Sequence, residues 1–172
     1  MNDKNEAFLE AYEAHSDAIY RFCLFKLSNA ELAKDMVQET FMKVWIYLAK
    51  GESVENTRAL LYKTAGNLVI DQYRQQARRK GKSESLEVLN EAGFEPSFDE
   101  TQSIIDRIDG AEAMALISQV PDPYGETIFM RYVQNLEISE IVSITGESDN
   151  TVSVRIHRGL EKLRKIFLKQ HA

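Results

Sequence analysis

The chain has a single cysteine, Cys23, among 172 residues. A lone thiol excludes an internal disulfide and a cysteine-rich metal site, and it suits a reducing compartment. Proline is scarce, at three residues, and glycine numbers eight, which excludes collagen-like, proline-rich and low-complexity classes. Apolar runs such as Leu68 to Ile70 fall far short of the roughly 20 residues a membrane span needs. The first residues, Met1 to Glu6, are polar and carry no export signal, so the expected location is the cytoplasm. A phosphate-binding glycine loop, a metal-ligand spacing and a nucleophile paired with a base are all missing, so no enzyme activity, cofactor or metal is expected. Strand-like alternation is missing too, which leaves all-α as the expected fold class.

What is present is an uneven charge. The net value of −6 speaks at first against a nucleic-acid partner. Its distribution reverses that reading. Residues 57–82 carry +6 and residues 150–172 carry +5, whereas residues 1–56, 83–113 and 114–149 carry −4, −8 and −5. Two compact basic segments separated by a strongly acidic one provide two places to meet phosphate.

Apolar spacing organises the chain into helices. Phe8, Tyr12, Ile19, Phe22, Cys23 and Leu27 recur at helical intervals, and Cys23 falls in the buried stripe. Ser28 with Glu31 matches a capping box ahead of a second stripe, Ala33, Met36, Val37, Phe41, Val44, Trp45 and Leu48, which stops near Gly51. Leu60, Leu61, Ala65, Leu68 and Val69 mark a third helix that ends around Gly81. The reading is an N-terminal three- to four-helix bundle over 1–80. Residues 81–110 lose periodicity and read as a flexible acidic linker, with Leu86, Leu89, Phe94 and Phe98 isolated in it. A second helical module over 111–172 is punctuated by Pro121 and Pro123, and one of its helices closes at Asn135.

Within that module, Glu137 to Arg158 has the layout of a helix-turn-helix, with a tight turn at Gly146 and Asn150 as the expected N-cap of the second helix. Asn150, Thr151 and Ser153 are small and polar, as the first turn of a helix approaching base edges requires. Arg155, Arg158, Lys162, Arg164 and Lys165 follow, as phosphate contacts require. In the first module, Lys63, Asn67, Asp71, Arg74 and Arg78 recur at steps of three or four and line one helical face.

The order and spacing of these motifs resemble a family. Asp35-Met36-Val37-Gln38-Glu39-Thr40-Phe41 followed by Val44-Trp45, then Leu61-Tyr62-Lys63 with Asn67 to Asp71, then the helix-turn-helix ending Arg155-Ile156-His157-Arg158-Gly159, is similar to the extracytoplasmic-function (ECF) sigma factors, group 4 of the sigma-70 superfamily. The resemblance implies an alternative sigma factor with a region 2-like domain over 1–80 and a region 4-like domain over 111–172. Asp35, Gln38 and Glu39 would then face core RNA polymerase. Ser53, Val54, Glu55, Asn56, Lys63, Asn67, Asp71, Arg74 and Arg78 would meet the minus-ten element and its melted strand. Asn150, Thr151, Ser153, Val154, Arg155, Arg158 and Lys162 would meet the minus-thirty-five element. Promoter DNA, core RNA polymerase and an anti-sigma factor are the implied partners. The alternative is a helix-turn-helix transcription regulator that binds DNA without polymerase; it would not need the Asp35 to Phe41 surface or the Asn67 stripe.

Several residues depart from the family pattern. Leu60 stands where a Trp is usual, and Gly66 where a larger residue is common. Thr145 and Glu147 replace apolar residues of the helix-turn-helix turn, which predicts a less well packed turn, and Ser153 replaces a basic residue. His15 is expected to be structural, His157 to lie beside DNA, and His171 to sit in a frayed tail.

Overall fold

The computed structural model describes residues 3–81 and 109–172. The linker expected over 81–110 lies, for residues 82–108, outside the described residues. The described residues form helices without any strand, as expected for an all-α protein. The chain divides into two compact units, one carrying the first three helices and the other all that follow.

In the first unit, α1 (Asp3–Leu27), α2 (Ala30–Ala49) and α3 (Thr57–Arg79) pack pairwise as a three-helix bundle. Each contributes one apolar stripe: Ile19, Phe22 and Cys23 from α1, Met36, Val37, Phe41 and Val44 from α2, and Leu61, Tyr62, Leu68 and Val69 from α3 are buried. Each such side chain stabilises the unit by about 1.5 to 3 kcal/mol relative to exposure. Phe22 meets Tyr62 edge-on at 5.5 Å between ring centroids, and Phe8 meets Trp45 at 4.9 Å. Thr40, fully buried on α2, donates its hydroxyl to the Met36 carbonyl at 2.6 Å, so no polar atom of its side chain is stranded. Tyr12, expected in the buried stripe of α1, instead lies 45% exposed at the edge of Phe41.

The cap of α2 also differs from expectation. Asn29 rather than Ser28 is the N-cap, its Oδ1 accepting from Leu32 N at 3.0 Å. Ser28 has φ of +50°, the left-handed conformation that ends α1, and its amide bonds Leu24 O. With helices only two residues apart, one residue must close the first and the next must open the second. Asn56 caps α3 in the same way, accepting from Ala59 N at 2.9 Å.

The second unit holds α4 (Gly110–Ile117), α5 (Tyr124–Ile128), a π-helical segment (Phe129–Val133), α6 (Ile138–Thr145) and α7 (Asp149–Gln170). Pro121 and Pro123 separate α4 from α5, as their missing amide hydrogens require. The helix expected to run to Asn135 widens at its end: Gln134 N bonds Phe129 O, five residues back, and Asn135 takes φ of +54°. The core is built around α7, where Val152, Ile156, Leu160 and Leu163 are buried together with Tyr124, Ile128, Phe129, Leu136 and Ile141. Gly125 lets α5 start close to the preceding loop, since a Cβ there would lie 2.4 Å from the Val120 carbonyl oxygen.

Candidate nucleic-acid interface

The helix-turn-helix consists of α6 and the first half of α7. Glu137 and Glu140 form a capping box at the start of α6, and Gly146 ends it at φ of +73°, where an L side chain would be strained. The cap of α7 is Ser148, not Asn150: Ser148 Oγ accepts from Thr151 N at 3.1 Å. Asn150 therefore lies inside the first helical turn and is exposed, and Ser153, at the start of the second turn, is exposed too. The Thr151 hydroxyl sits 2.9 Å from Ser148 Oγ and belongs to the cap.

The basic residues of α7 are engaged more than their order suggested. Arg155 Nη2 lies 2.9 Å from Glu147 Oε1, with the arginine side chain only 13% exposed. Lys162 Nζ stands over the Tyr124 ring at 5.2 Å from its centroid. Arg158 is half-buried, and Val154 is buried, so contact between Val154 and a base would first require it to be uncovered. His157, expected beside DNA, has 13% of its side-chain surface exposed and places Nε2 3.8 Å from Glu161 Oε1. His171 is not frayed: its Nδ1 lies 2.9 Å from Phe167 O, its ring stacks on Phe167, and its Nε2 lies 3.1 Å from Glu112 on α4.

The polar substitutions of the turn make polar contacts. Thr145 Oγ1 donates to Ile141 O at 2.8 Å and accepts from Glu147 N at 3.3 Å, while Glu147 reaches forward to Arg155. Hydrogen bonds and an ion pair replace the apolar contact expected there. Arg131, from the π-helical segment, secures the other end of α6 by donating to Leu136 O at 2.9 Å and approaching Glu137 Oε2 to 3.6 Å. Burial raises the pKa of the adjacent Tyr132 hydroxyl, against the opposing pull of the Arg131 charge.

In the first unit, Lys63, Asn67, Asp71, Arg74 and Arg78 are all exposed along the outer face of α3. Asp71 and Arg74 approach to 3.6 Å, an exposed pair worth little and easily opened by a partner. Tyr73 ties that helix to α1 by donating its hydroxyl to the Lys26 carbonyl. In the preceding loop Ser53, Glu55 and Asn56 are exposed and Val54 half-buried, with the Asn56 side-chain oxygen held by its cap.

Asp35, Gln38 and Glu39 are exposed on α2, opposite its buried stripe. The helical period adds two residues to that face. Met42 and Ile46, 61% and 48% exposed, follow Gln38 and Glu39 at the intervals that place them on one side. Sequence reading passed over both, although extending the Asp35 to Glu39 face by one turn reaches them.

Cys23 is fully buried, and desolvation pushes its thiol up to about 12. A thiol so placed packs the core and is not nucleophilic at neutral pH. Among the described residues no group of acidic, histidine and cysteine side chains converges as a metal site, and no helix is long and apolar enough to cross a membrane.

Comparison with known proteins matches both units. Residues 11–79 match the family model described as Sigma-70 region 2, and residues 111–163 match Sigma-70, region 4. The chain is 30% identical over 170 residues to the ECF RNA polymerase sigma factor SigW of Bacillus subtilis, covering 93% of this chain and 88% of SigW. It is also 30% identical over 157 residues to the RNA polymerase sigma factor SigV of the same organism, covering 91% and 88%. Among solved structures, a chain from the co-crystal of the sigma factor RpoE with the anti-sigma factor NepR from Bartonella quintana superposes with a TM-score of 0.70. That match covers 94% of this chain and 97% of the other, at 19% identity, and shows a shared fold.

Proposed function

The chain belongs to the ECF RNA polymerase sigma factors, alternative sigma factors that act with RNA polymerase to direct transcription initiation, and on that premise we propose how its surfaces divide the work. The region 2-like unit docks on core polymerase through Asp35, Gln38 and Glu39, joined by Met42 and Ile46. This reading is supported by two exposed apolar side chains, Met42 and Ile46, continuing the polar face of α2 opposite its buried stripe. An apolar centre with a charged rim is the composition expected of a protein-binding patch.

The outer face of α3 and the loop before it meet the minus-ten element. Asn67 offers an amide to an unpaired base, while Lys63, Arg74 and Arg78 follow the backbone. Ser53, Val54, Glu55 and Asn56 line the loop, and Asp71 orients Arg74. In the region 4-like unit, α7 enters the major groove of the minus-thirty-five element with Asn150 and Ser153 foremost, Thr151 beside them, and Arg158 and Lys162 behind on the phosphates.

The mechanism is one of binding, not of catalysis by this chain. Separating base pairs costs about 1.4 kcal/mol per step, and extruding a base costs a few kcal/mol. Capture of the exposed strand by α3 offsets part of that cost, and the polymerase supplies the rest. Attachment of both units to one polymerase raises their effective concentration on the promoter. The protein acts in the cytoplasm, where the polymerase and chromosome are. An anti-sigma factor is its expected regulator, since the RpoE chain with the same fold was crystallised with one.

The observation that carries this reading is that one chain joins the Sigma-70 region 2 and region 4 matches in order. A regulator working without polymerase has no use for the region 2-like unit. The test is transcription by core polymerase with and without the chain on genomic fragments, with start sites mapped by sequencing. Chain-dependent starts preceded by a shared, regularly spaced pair of elements are expected. A chain that binds such DNA tightly by itself and adds no starts would overturn the reading.

A further inference from the structure

Glu147 occupies a revealing place. It follows the left-handed Gly146, precedes the cap Ser148, and reaches across the turn to Arg155, nearly two helical turns into α7, at 2.9 Å. Its side chain is 40% exposed and that of Arg155 only 13%, so the guanidinium lies against the turn instead of extending into solvent. By order in the sequence alone, Arg155 belongs with the cations that meet DNA.

Resting on the sigma-factor reading, we propose that Glu147 is a specificity-determining residue: it holds Arg155 out of the phosphate contacts, and leaves recognition to the uncharged groups at the mouth of α7. For Arg155 to turn to a phosphate, it must leave a charge-assisted hydrogen bond and strand a half-buried carboxylate beside a polyanion, which is unfavourable on both counts. The pair therefore persists in the complex. It presents DNA with a neutral unit where an unpaired arginine would add sequence-independent attraction. Arg131 performs the matching service at the far end of α6, through Leu136 O and Glu137. The short helix is thus braced by an arginine at each end. Exposed Asn150 and Ser153 are left to read base edges with one ionic contact fewer beside them.

The experiment uses holoenzyme, core polymerase plus full chain, on a promoter fragment found by start-site mapping, at 50 and 200 mM salt and on a panel of minus-thirty-five variants. Arg155→Gln should leave the salt slope as in the unaltered chain, because no phosphate contact is removed. Glu147→Ala removes the carboxylate that holds Arg155 at the turn and should steepen the slope by about 0.9, an added loss of about 3.5-fold in affinity between the two salt concentrations, and should flatten the preference among variants. The double variant Glu147→Ala/Arg155→Gln should return to the original slope, and Glu147→Gln, whose amide oxygen still accepts from Arg155, serves if Glu147→Ala folds poorly and should steepen the slope less than Glu147→Ala. Loss of packing alone would lower the melting temperature of both single variants without moving either slope. A slope that falls by about 0.9 in Arg155→Gln, or that stays unchanged in Glu147→Ala, overturns the proposal. Both results leave the unaltered holoenzyme bound to its promoter, whereas a holoenzyme that never binds contradicts the sigma-factor reading itself.

Discussion

Gly159 on α7 passes so near Ile128 on α5 that a Cβ added to the glycine would lie 2.7 Å from the isoleucine Cγ2 and 3.2 Å from the Tyr124 carbonyl oxygen. The contact joins the recognition-helix element to its support where the Ile128 side chain and the Tyr124 backbone leave no room for a side chain at 159. Gly159→Ala is therefore expected to destabilise the region 4-like unit by about 1 to 3 kcal/mol, despite the better helix propensity of alanine. Urea denaturation followed by circular dichroism measures it; an unchanged or raised midpoint would show that α5 and α7 can separate freely.

Gly66 on α3 is the opposite case. It lies in a helix interior, and nothing approaches within 4 Å of the position its Cβ would take. Gly66→Ala should stabilise the region 2-like unit by roughly 0.5 to 1 kcal/mol, through the smaller entropy of the unfolded chain. The two glycines look alike in sequence, and the same denaturation experiment should move them in opposite directions.

Charge reversal at the proposed docking face tests the polymerase assignment. Glu39 is exposed and its contact with Lys43, at 3.6 Å, is a surface pair of little energy, so Glu39→Lys should leave the fold intact. Affinity for core polymerase should fall on the order of tenfold, as should that of Ile46→Asp. Titration of labelled chain with core polymerase is the measurement, and undiminished affinity in both variants would place the docking surface elsewhere.

Asn67→Ala is expected to separate melting from binding. Asn67 is exposed between Lys63 and Arg74 on the face of α3. Its loss removes an amide that meets a base only after the strands part, and leaves the phosphate contacts in place. Permanganate reactivity of unpaired thymines should drop while closed-complex affinity holds. Normal reactivity in the variant would remove Asn67 from the melted-strand site.

Cys23 gives a pH dependence with a definite sign. Burial holds its thiol up to about 12, against an ordinary value of 9.0. Between those values the unfolded chain releases a proton that the folded chain retains, so stability falls as pH rises across the window. Denaturation at pH 8, 9 and 10 should show a steeper loss for the natural chain than for Cys23→Ala, and thiol reagents should label Cys23 only as the unit unfolds. Parallel pH profiles would mean that the buried thiol makes no contribution.

Among the described residues, helix order and most buried faces were legible in the sequence, because a 3.6-residue period of apolar side chains survives any packing that buries one stripe per helix. The endings at Gly51, Gly81 and Gly146 were legible for the same kind of reason, each being a glycine at positive φ. So was the exposed face of α3, since Lys63, Asn67, Asp71, Arg74 and Arg78 share it by spacing alone. Caps were misplaced by one or two residues, at Ser28 for Asn29 and at Asn150 for Ser148, because several neighbouring side chains can cap and only backbone geometry selects one. Tertiary structure alone decided what the cations of α7 touch within the protein. Arg155 and Lys162 have the spacing of phosphate ligands, yet one is held by a carboxylate across a turn and the other by an aromatic ring from α5. Such partners are close in space without being periodic in sequence, so no reading of a single helix could reveal them.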